Sequence, residues 1–545
     1  MPAADVCLAG GRIADVRAGA LRRAAVAISA GRVTAVGPEA EVCAGARQIL
    51  DVSGRIVAPG YVEPHTHAVL AAPVELTGAL LRHGTTTAVV DALPFIMLAT
   101  PDRLPSVLEG LAALPVKFHW LIRLHPPSFS AADRFSLDRL RRLWRLPSAA
   151  AVGEVTRWTD VHDGRPDLLA KIAAARADGR RVEGHAPGAS YDKLAVLAAA
   201  GFSSCHEAVT AEEVRDRLRV GLYVMLRHSP IRPDLPQLAA AVTAELASSP
   251  RLMFTADGPS PVFIEDDGYM DHVIAVAIRS GIPPLTALRL ATLNPAAYYG
   301  MGDRGEIVPG KRADLNVLRD LADPYPEAVI VDGQVAVRGG RLLRPLPDFT
   351  WDGVFEPLPV PRVPAEAFAV APARPVVCRL INDVITEPLA GDSPAAALQA
   401  VLIDRNGHWL TRCLLTGFVD RLGGLATTVN TAFDLLVVGQ NVADMARAAE
   451  RVADLGGGLV VVDQGAEIFT LPLDLGGIFS SRPWAEVVEA DRRFIALMRS
   501  RGFRFTDPLF SLMFLTFDSL PWIRLTSRGV WDVRQRRVLD PATAL

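Results

Sequence analysis

The chain has 545 residues, too many for a single hydrophobic core, which usually stops growing near about 250–300 residues, so at least two domains are expected. Half of the residues (50%) are apolar, 21% are charged, and 43 glycines and 41 prolines are spread along the chain, a composition that excludes an intrinsically disordered protein. A formal net charge of -3 leaves no electrostatic footprint for nucleic acid or an anionic membrane, and neither is expected as a partner.

From Val6 to about Val36, stretches such as VCLAGGRIADV and VAISAGRVTAVG alternate apolar and polar residues between glycines, the period-two signature of short antiparallel strands. The N-terminus MPAADVCLAGGRIADV lacks a basic segment followed by an apolar one, and no run of about 18 apolar residues could span a bilayer. The five cysteines (Cys7, Cys43, Cys205, Cys378, Cys413) are odd in number, widely separated and without a Cys-x-x-Cys pair. Neither a disulfide framework nor a thiolate zinc site is expected, and a reducing cytoplasm fits best.

From residue 57 to about 300, eight β-rich runs follow one another: IVAPGYVEPHTH, TTTAVVDA, KFHWLIRL, AAAVGEVT, RRVEGHA, SSCHEA, LYVMLRH and RLMFTAD. Amphipathic stretches such as YDKLAVLAAAG and AEEVRDRLRVG separate them, several ending in the glycine that commonly stops a helix. Eight βα units in this length predict a (β/α)8 TIM barrel, whose chemistry sits at the C-terminal ends of its strands.

Alternating segments return at 314–343, DLNVLRDL and AVIVDGQVAVRGGRLL, so two flanking pieces can complete one β-sandwich. The proline-rich stretch 344–375 reads as a linker, and beyond it strands and helices mix in an α+β domain. The expected division is 1–56 and 307–345 for the sandwich, 57–306 for the barrel, 346–375 for the linker and 376–545 for the last domain.

The first run ends in His65 and His67, which as i and i+2 on a strand share a face. The fourth ends in Glu154, the fifth in His185, the sixth in His206 and the eighth in Asp257. Taken singly, each has a plainer explanation: a turn histidine, a buried imidazole satisfied by backbone, a loop carboxylate, an Asx turn. Six metal-competent side chains at the ends of five strands point together to a ligand set, and nitrogen and carboxylate donors without thiolate suit zinc, manganese, iron or nickel.

Arg227, ending the seventh run, is a candidate for orienting substrate or stabilising negative charge, with a rim salt bridge as the alternative. Glu207 is expected to point away from His206 if the strand continues. His125 and His228 either line the pocket or lie at the surface.

On the segments GRIVAPGYVEPHTH, LLRHGTTTAVVDA, VEGHAPG, SSCHEAVTAEEVRDRLRVGLYVMLR, ALRLATLNPAAYYG, GEIVPGKRADLNVL, VVGQNVADMARAAERVADLGGGLVVVD and DPLFSLMFL, the sequence resembles the amidohydrolase superfamily and, within it, the adenine deaminase family. The resemblance runs over nearly the whole chain. It implies a metal site held by His65, His67, His185, His206 and Asp257, with Glu154 in VGEV bridging two metals where other members often use a carboxylated lysine. It also implies manganese or iron, with zinc as the alternative, a small N-heterocyclic substrate, a homo-oligomeric dimer and an adenine-deaminase-type last domain.

Three segments depart from the family pattern. Ala68-Val69-Leu70 stands where an acidic, serine-containing stretch usually follows the histidine pair, Asp91-Ala92-Leu93-Pro94 stands for Asp-Pro-His-Glu, and VNTAFD (429–434) lacks an expected histidine.

In the chemistry these residues permit, metal-activated water attacks an electrophilic carbon while Asp257 takes its proton and returns it to the leaving nitrogen. Deamination of an aminopurine or related aminated heterocycle is the first expectation. Hydrolysis of a cyclic amide or imide uses the same apparatus and is the second, and a catalytically silent ligand-binding homologue is the third.

Overall fold

The eight β-rich runs form eight parallel strands of one sheet: Tyr61–Thr66, Thr85–Asp91, Lys117–Ile122, Ala149–Val155, Val182–Gly184, Ser204–Cys205, Tyr223–Arg227 and Leu252–Thr255. A computed structural model describes residues 4–127, 129, 132–356, 358–359, 361–369, 375–389 and 396–545. Each strand pairs in parallel with the next in sequence, and helices such as Pro73–Arg82, Tyr191–Ala200 and Ala211–Arg219 connect them. The second strand is buried along its whole length, as expected of a parallel strand covered on both faces.

The first and last strands meet through side chains, so the barrel is nearly closed. Thr255 Oγ1 donates to the His65 carbonyl at 2.7 Å, and Ala256 N donates to Glu63 Oε2 at 2.9 Å. Local sequence sets the helix ends. Thr210 Oγ1 accepts from Glu213 N at 3.2 Å at the start of Ala211–Arg219, and Glu213 returns a carboxylate to Val209 N at 3.0 Å.

The first run divides at Gly60. Ile56–Pro59 pairs antiparallel with Leu315–Leu318 in a seven-stranded sheet, and only Tyr61–Thr66 enters the barrel. A second, four-stranded sheet holds Val6–Ala9, Ala25–Ser29, Arg32–Gly37 and Gln48–Asp51. Leu8, Val26 and Ile28 from that sheet pack with Ile13, Leu315 and Ile330 from the other, so pieces from both sides of the barrel share one core.

Cys7 and Cys43 are joined by a disulfide, their Cα atoms 5.5 Å apart, which corrects the expectation that no disulfide forms. Their 36-residue separation hid the pairing, because the intervening hairpin and the short helix Glu39–Val42 bring Cys43 back against the first strand. Cys205, Cys378 and Cys413 are free and buried.

The proline-rich segment has little regular structure, but it is anchored: the Phe355 ring lies 6.0 Å from Phe95 of the barrel and 5.9 Å from Trp351. Residues 357, 360 and 370–374 of that segment lie outside the described residues. Beyond it, a nine-stranded sheet includes Leu398–Ile403, Trp409–Thr416, Leu435–Gly439 and Gly458–Asp463, with the helix Val442–Leu455 against it. This part reaches the barrel mouth. Phe479–Ser480 pairs in parallel with Leu70–Ala71, directly after the histidine pair. No helix among the described residues is long and apolar enough to cross a membrane.

Candidate metal centre

Six side chains from five strand ends converge at the C-terminal mouth of the barrel. Glu63, His65 and His67 alternate along the first strand and just past its end, so all three face inward. His65 Nε2 lies 3.2 Å from His67 Nε2, and Asp257 Oδ1 lies 3.2 Å from the first and 3.5 Å from the second.

Glu154 spans two clusters. Its Oε2 is 3.9 Å from His67 Nε2, while its Oε1 is 3.2 Å from His206 Nε2 and in contact with His185 Nδ1. His185 Nδ1 and His206 Nε2 are themselves 3.3 Å apart. Within 4.8 Å of one another stand the sets His65-Glu154-His206, His65-His67-Asp257, His185-His206-Glu207 and His67-Asp91-Glu154.

A ring of buried partners orients these groups. Glu183 Oε1 is 2.8 Å from His65 Nδ1 and 3.1 Å from His206 Nδ1, which turns both Nε2 atoms toward the centre. Asp91 Oδ2 is 3.4 Å from His67 Nδ1 and accepts from Arg123 Nε at 2.7 Å, and Arg123 Nη2 donates to Glu154 Oε2 at 2.7 Å. Glu63 accepts from His65 N at 3.0 Å and from Thr255 Oγ1 at 2.6 Å, locking the first strand to the eighth.

Asp257 lies two residues past the last strand with φ +53°, a left-handed conformation that aspartate tolerates better than most residues. Gly258 follows at φ +69°, where a Cβ would come within 2.8 Å of the His67 Cβ. Only glycine lets this loop pass so close to the histidine pair.

The electrostatics favour a bound cation. Burial pushes the Asp257 carboxyl up, but Arg227 and the His65 and His67 rings outweigh it and hold it well below its ordinary value. Glu154 is likewise held low, burial being overcome by His185 and Arg123. Burial and the neighbouring His65 lower His206, yet Glu154 and Glu183 win and raise it to about 10. The negative field that keeps a proton on that ring suits a divalent ion equally well, and the imidazole and carboxylate donors fit such an ion.

Arg227, the last residue of the seventh strand, donates from Nη1 to Glu207 Oε1 and to Asp257 Oδ2, both at 2.6 Å. Its Nε and Nη2 are buried without a hydrogen-bond partner.

Glu207 differs from expectation. The sixth strand ends at Cys205, so strand alternation does not govern residues 206 and 207, and Glu207 Oε1 comes within 3.4 Å of His206 Nε2. His125 and His228 neither line the chamber nor lie at the surface. His125 Nδ1 is 2.9 Å from the Pro126 carbonyl, and the His228 ring packs 5.5 Å from His272.

Sequence reasoning missed Glu63, Asp91, Arg123 and Glu183. For Glu63 and Glu183 the signal was present, since each stands two residues before a histidine of the cluster on an inward strand face.

Above the cluster is a chamber of about 160 Å³, walled partly by the barrel and partly by residues beyond 380. All three departing segments reach it, through Ala68 and Val69, through Leu93 and Pro94, and through Asn430, Thr431 and Phe433.

Residues 56–336 match the amidohydrolase family, and residues 382–537 match the adenine deaminase C-terminal domain. An adenine deaminase of Cenarchaeum symbiosum is 32% identical, covering 94% of this chain and 88% of that protein. An adenine deaminase of Moorella thermoacetica is 30% identical, covering 99% and 96%. Among solved structures, a dihydropyrimidinase of Brevibacillus agri is 15% identical, covers 62% of this chain and 96% of that one, and has a TM-score of 0.48.

Proposed function

Since the chain belongs to the amidohydrolase family and carries the C-terminal domain of adenine deaminases, we propose that it is a metal-dependent hydrolase that deaminates an aminated N-heterocycle and releases ammonia. The observation that carries the reading is the meeting of His65, His67, Glu154, His185, His206 and Asp257 at the mouth of the barrel.

His65, His67 and Asp257 would hold one divalent ion, His185 and His206 a second, and Glu154 would bridge them. Manganese or iron is the proposed metal, with zinc as the alternative. Such an ion supplies Lewis-acid activation of water at neutral pH.

Asp257 is ionised and held by Arg227 with Oδ1 toward the cluster, so it can receive the proton of the attacking water. The water oxygen bonds to the ring carbon that carries the amino group. Asp257 then passes the proton to the amino nitrogen, the C–N bond breaks and ammonia leaves, and the hydroxyl left on the carbon becomes the ring carbonyl as its proton moves to the adjacent ring nitrogen. The unpartnered Nε and Nη2 of Arg227 are available to a ring nitrogen or to the negative charge that grows as water adds. Arg123 and Glu183 keep the carboxylate and imidazoles aimed and take no part in bond breaking.

The test is a screen of aminopurines, pterins and cyclic amides against the manganese-, iron- and zinc-loaded protein, with ammonia and ring opening read separately. Asp257-dependent ammonia release is the expected result. Ring opening without ammonia would replace the reading by cyclic amide hydrolysis, and bound metal without turnover would leave a silent homologue.

A further inference from the structure

One part of the chamber's lining is hydrocarbon, and it comes up against the cluster at His185. Phe510, Phe514 and Phe517 follow one another with ring centroids 6.0 Å apart, and Phe517 reaches to 6.1 Å from the His185 ring. Val69, Leu93 and Phe433 continue this wall.

The polar side chains that the last part of the chain adds to this lining are hydrogen-bonded within it. Asn430 Nδ2 donates to the Asp434 carbonyl at 2.6 Å, and its Oδ1 accepts from Ala432 N at 3.1 Å. Thr431 Oγ1 is hydrogen-bonded to Thr516 Oγ1 at 2.8 Å. Arg123 is spent on Asp91 and Glu154. Arg227, from the barrel, brings Nε and Nη2 that have no hydrogen-bond partner.

The backbone supports a built wall. Phe433 has φ +60° and Leu70, next to Val69, has φ +58°, left-handed conformations that bulky L-residues seldom adopt. The Phe433 turn is pinned from both sides, by its own N–H to the Asn430 carbonyl at 3.1 Å and by Arg405 at its carbonyl.

We propose that this wall receives an apolar alkyl or aryl substituent on the ring edge that faces it, so that the substrate is a hydrocarbon-substituted amino-heterocycle and not a free purine base. The inference rests on the deaminase reading and names the substrate class within it. A free purine edge carries ring nitrogens that this wall would desolvate without partners, at roughly ten- to a hundredfold in affinity for each. A methyl or phenyl group gains contact there. The chamber is about 160 Å³, below the roughly 300–1,000 Å³ usual for a small-molecule pocket. A larger group can pass Ile231, Val384 and Leu520, which also line an outer cavity of about 900 Å³.

The experiment uses the metal-loaded full chain with adenine, 4-aminopyrimidine, 4-amino-6-methylpyrimidine and 4-amino-6-phenylpyrimidine, reading ammonia. Titration calorimetry with pyrimidine and the amino-free 4-phenylpyrimidine measures binding apart from turnover. The expected result is kcat/KM rising at least about tenfold from the unsubstituted to the substituted aminopyrimidines, with adenine the poorest substrate, and 4-phenylpyrimidine binding more tightly than pyrimidine. Phe433→Gly suits the local backbone and removes the ring, so it should carry the substituted-to-unsubstituted ratio toward one through KM, and Leu93→Asn should do the same by a second route. Adenine matching the substituted rings, or a ratio that both variants leave unchanged, would overturn the proposal. Should no ring release ammonia from the loaded protein, the deaminase reading fails by itself, and 4-phenylpyrimidine binding no better than pyrimidine then overturns the wall as well.

Discussion

Glu183 offers a sharp test of the metal centre because it touches the imidazoles from behind. It is fully buried, and one oxygen serves both His65 Nδ1, at 2.8 Å, and His206 Nδ1, at 3.1 Å. In Glu183→Gln the amide oxygen can still accept from His206 and stay beside His65, and the amide nitrogen takes the place of the oxygen 3.4 Å from the Tyr299 hydroxyl. Geometry is kept and one negative charge behind two ligands is lost. Partners of this kind typically change metal affinity by about 10–100-fold, or ~1.4–2.7 kcal/mol. The glutamine variant belongs near the lower figure and Glu183→Ala near the upper one. The alanine variant also leaves the buried His206 Nδ1 without its hydrogen-bond partner, at about 1–3 kcal/mol in stability. Metal content after dialysis against graded chelator, beside thermal melts of the metal-free proteins, separates affinity from folding. A glutamine variant that keeps its metal to the same chelator concentration as the parent would refute the role assigned to this carboxylate.

Three further outcomes follow from the same geometry. Asp257→Asn should lower kcat by about 10²–10⁴-fold while the fold persists, and an unchanged turnover number would remove Asp257 as the proton carrier. His65→Ala and His185→Ala should each lose bound metal and turnover together, as elemental analysis beside an ammonia assay would show, and full retention of both would sink the ligand assignment. Away from the centre, burial raises the Asp434 carboxyl to about 7, offset only partly by Arg405. Between about pH 4 and 7 the unfolded chain has released this proton while the folded chain still holds it, so this group's contribution to stability falls as pH rises, by up to ~1.4 kcal/mol per pH unit, and levels off above 7. Asp434→Asn should therefore flatten that slope and raise the melting temperature at pH 8, and parallel melting curves for the two proteins would contradict it.

The barrel was legible because its strands are short, apolar and regularly spaced, and because its chemistry falls at strand ends, where a histidine or carboxylate after an apolar run stands out. The limits were local. Period-two alternation placed Glu207 on the wrong side because the sixth strand stops at Cys205. The apolar run IVAPGYV gave no sign that its first half, Ile56–Pro59, would leave the barrel to pair with Leu315–Leu318. The Cys7–Cys43 bridge depends on how a hairpin and a short helix fold back, which spacing does not encode. Asn430, Thr431 and Phe433 reach the chamber across more than three hundred residues from the histidine pair, and no periodicity carries that distance.

That last contact bears on how such a protein can change its substrate while keeping its reaction. The polar partners of the candidate ligand side chains, namely Glu63, Asp91, Arg123, Glu183 and Glu207, all belong to the barrel, while the last part of the chain meets the cluster through the Phe517 ring beside His185. The last part is fastened to the barrel elsewhere, by the pairing of Phe479–Ser480 with Leu70–Ala71, by Trp484 N donating to Glu75 Oε2 at 2.8 Å, and by Arg157 against Asp518 at 2.5 Å. Its turn at Phe433 and its helix Pro508–Met513 thus present a wall to the chamber without bonding to the ligand cluster. On the proposed reading, substitutions on that wall would alter what is desolvated beside the ring and leave Asp257, held by Arg227, in place. Ala68, Val69, Leu93, Pro94, Asn430, Thr431 and Phe433, from the three segments that depart from the resemblance, all line the chamber beside the candidate ligands His67, Glu154, His185 and Asp257.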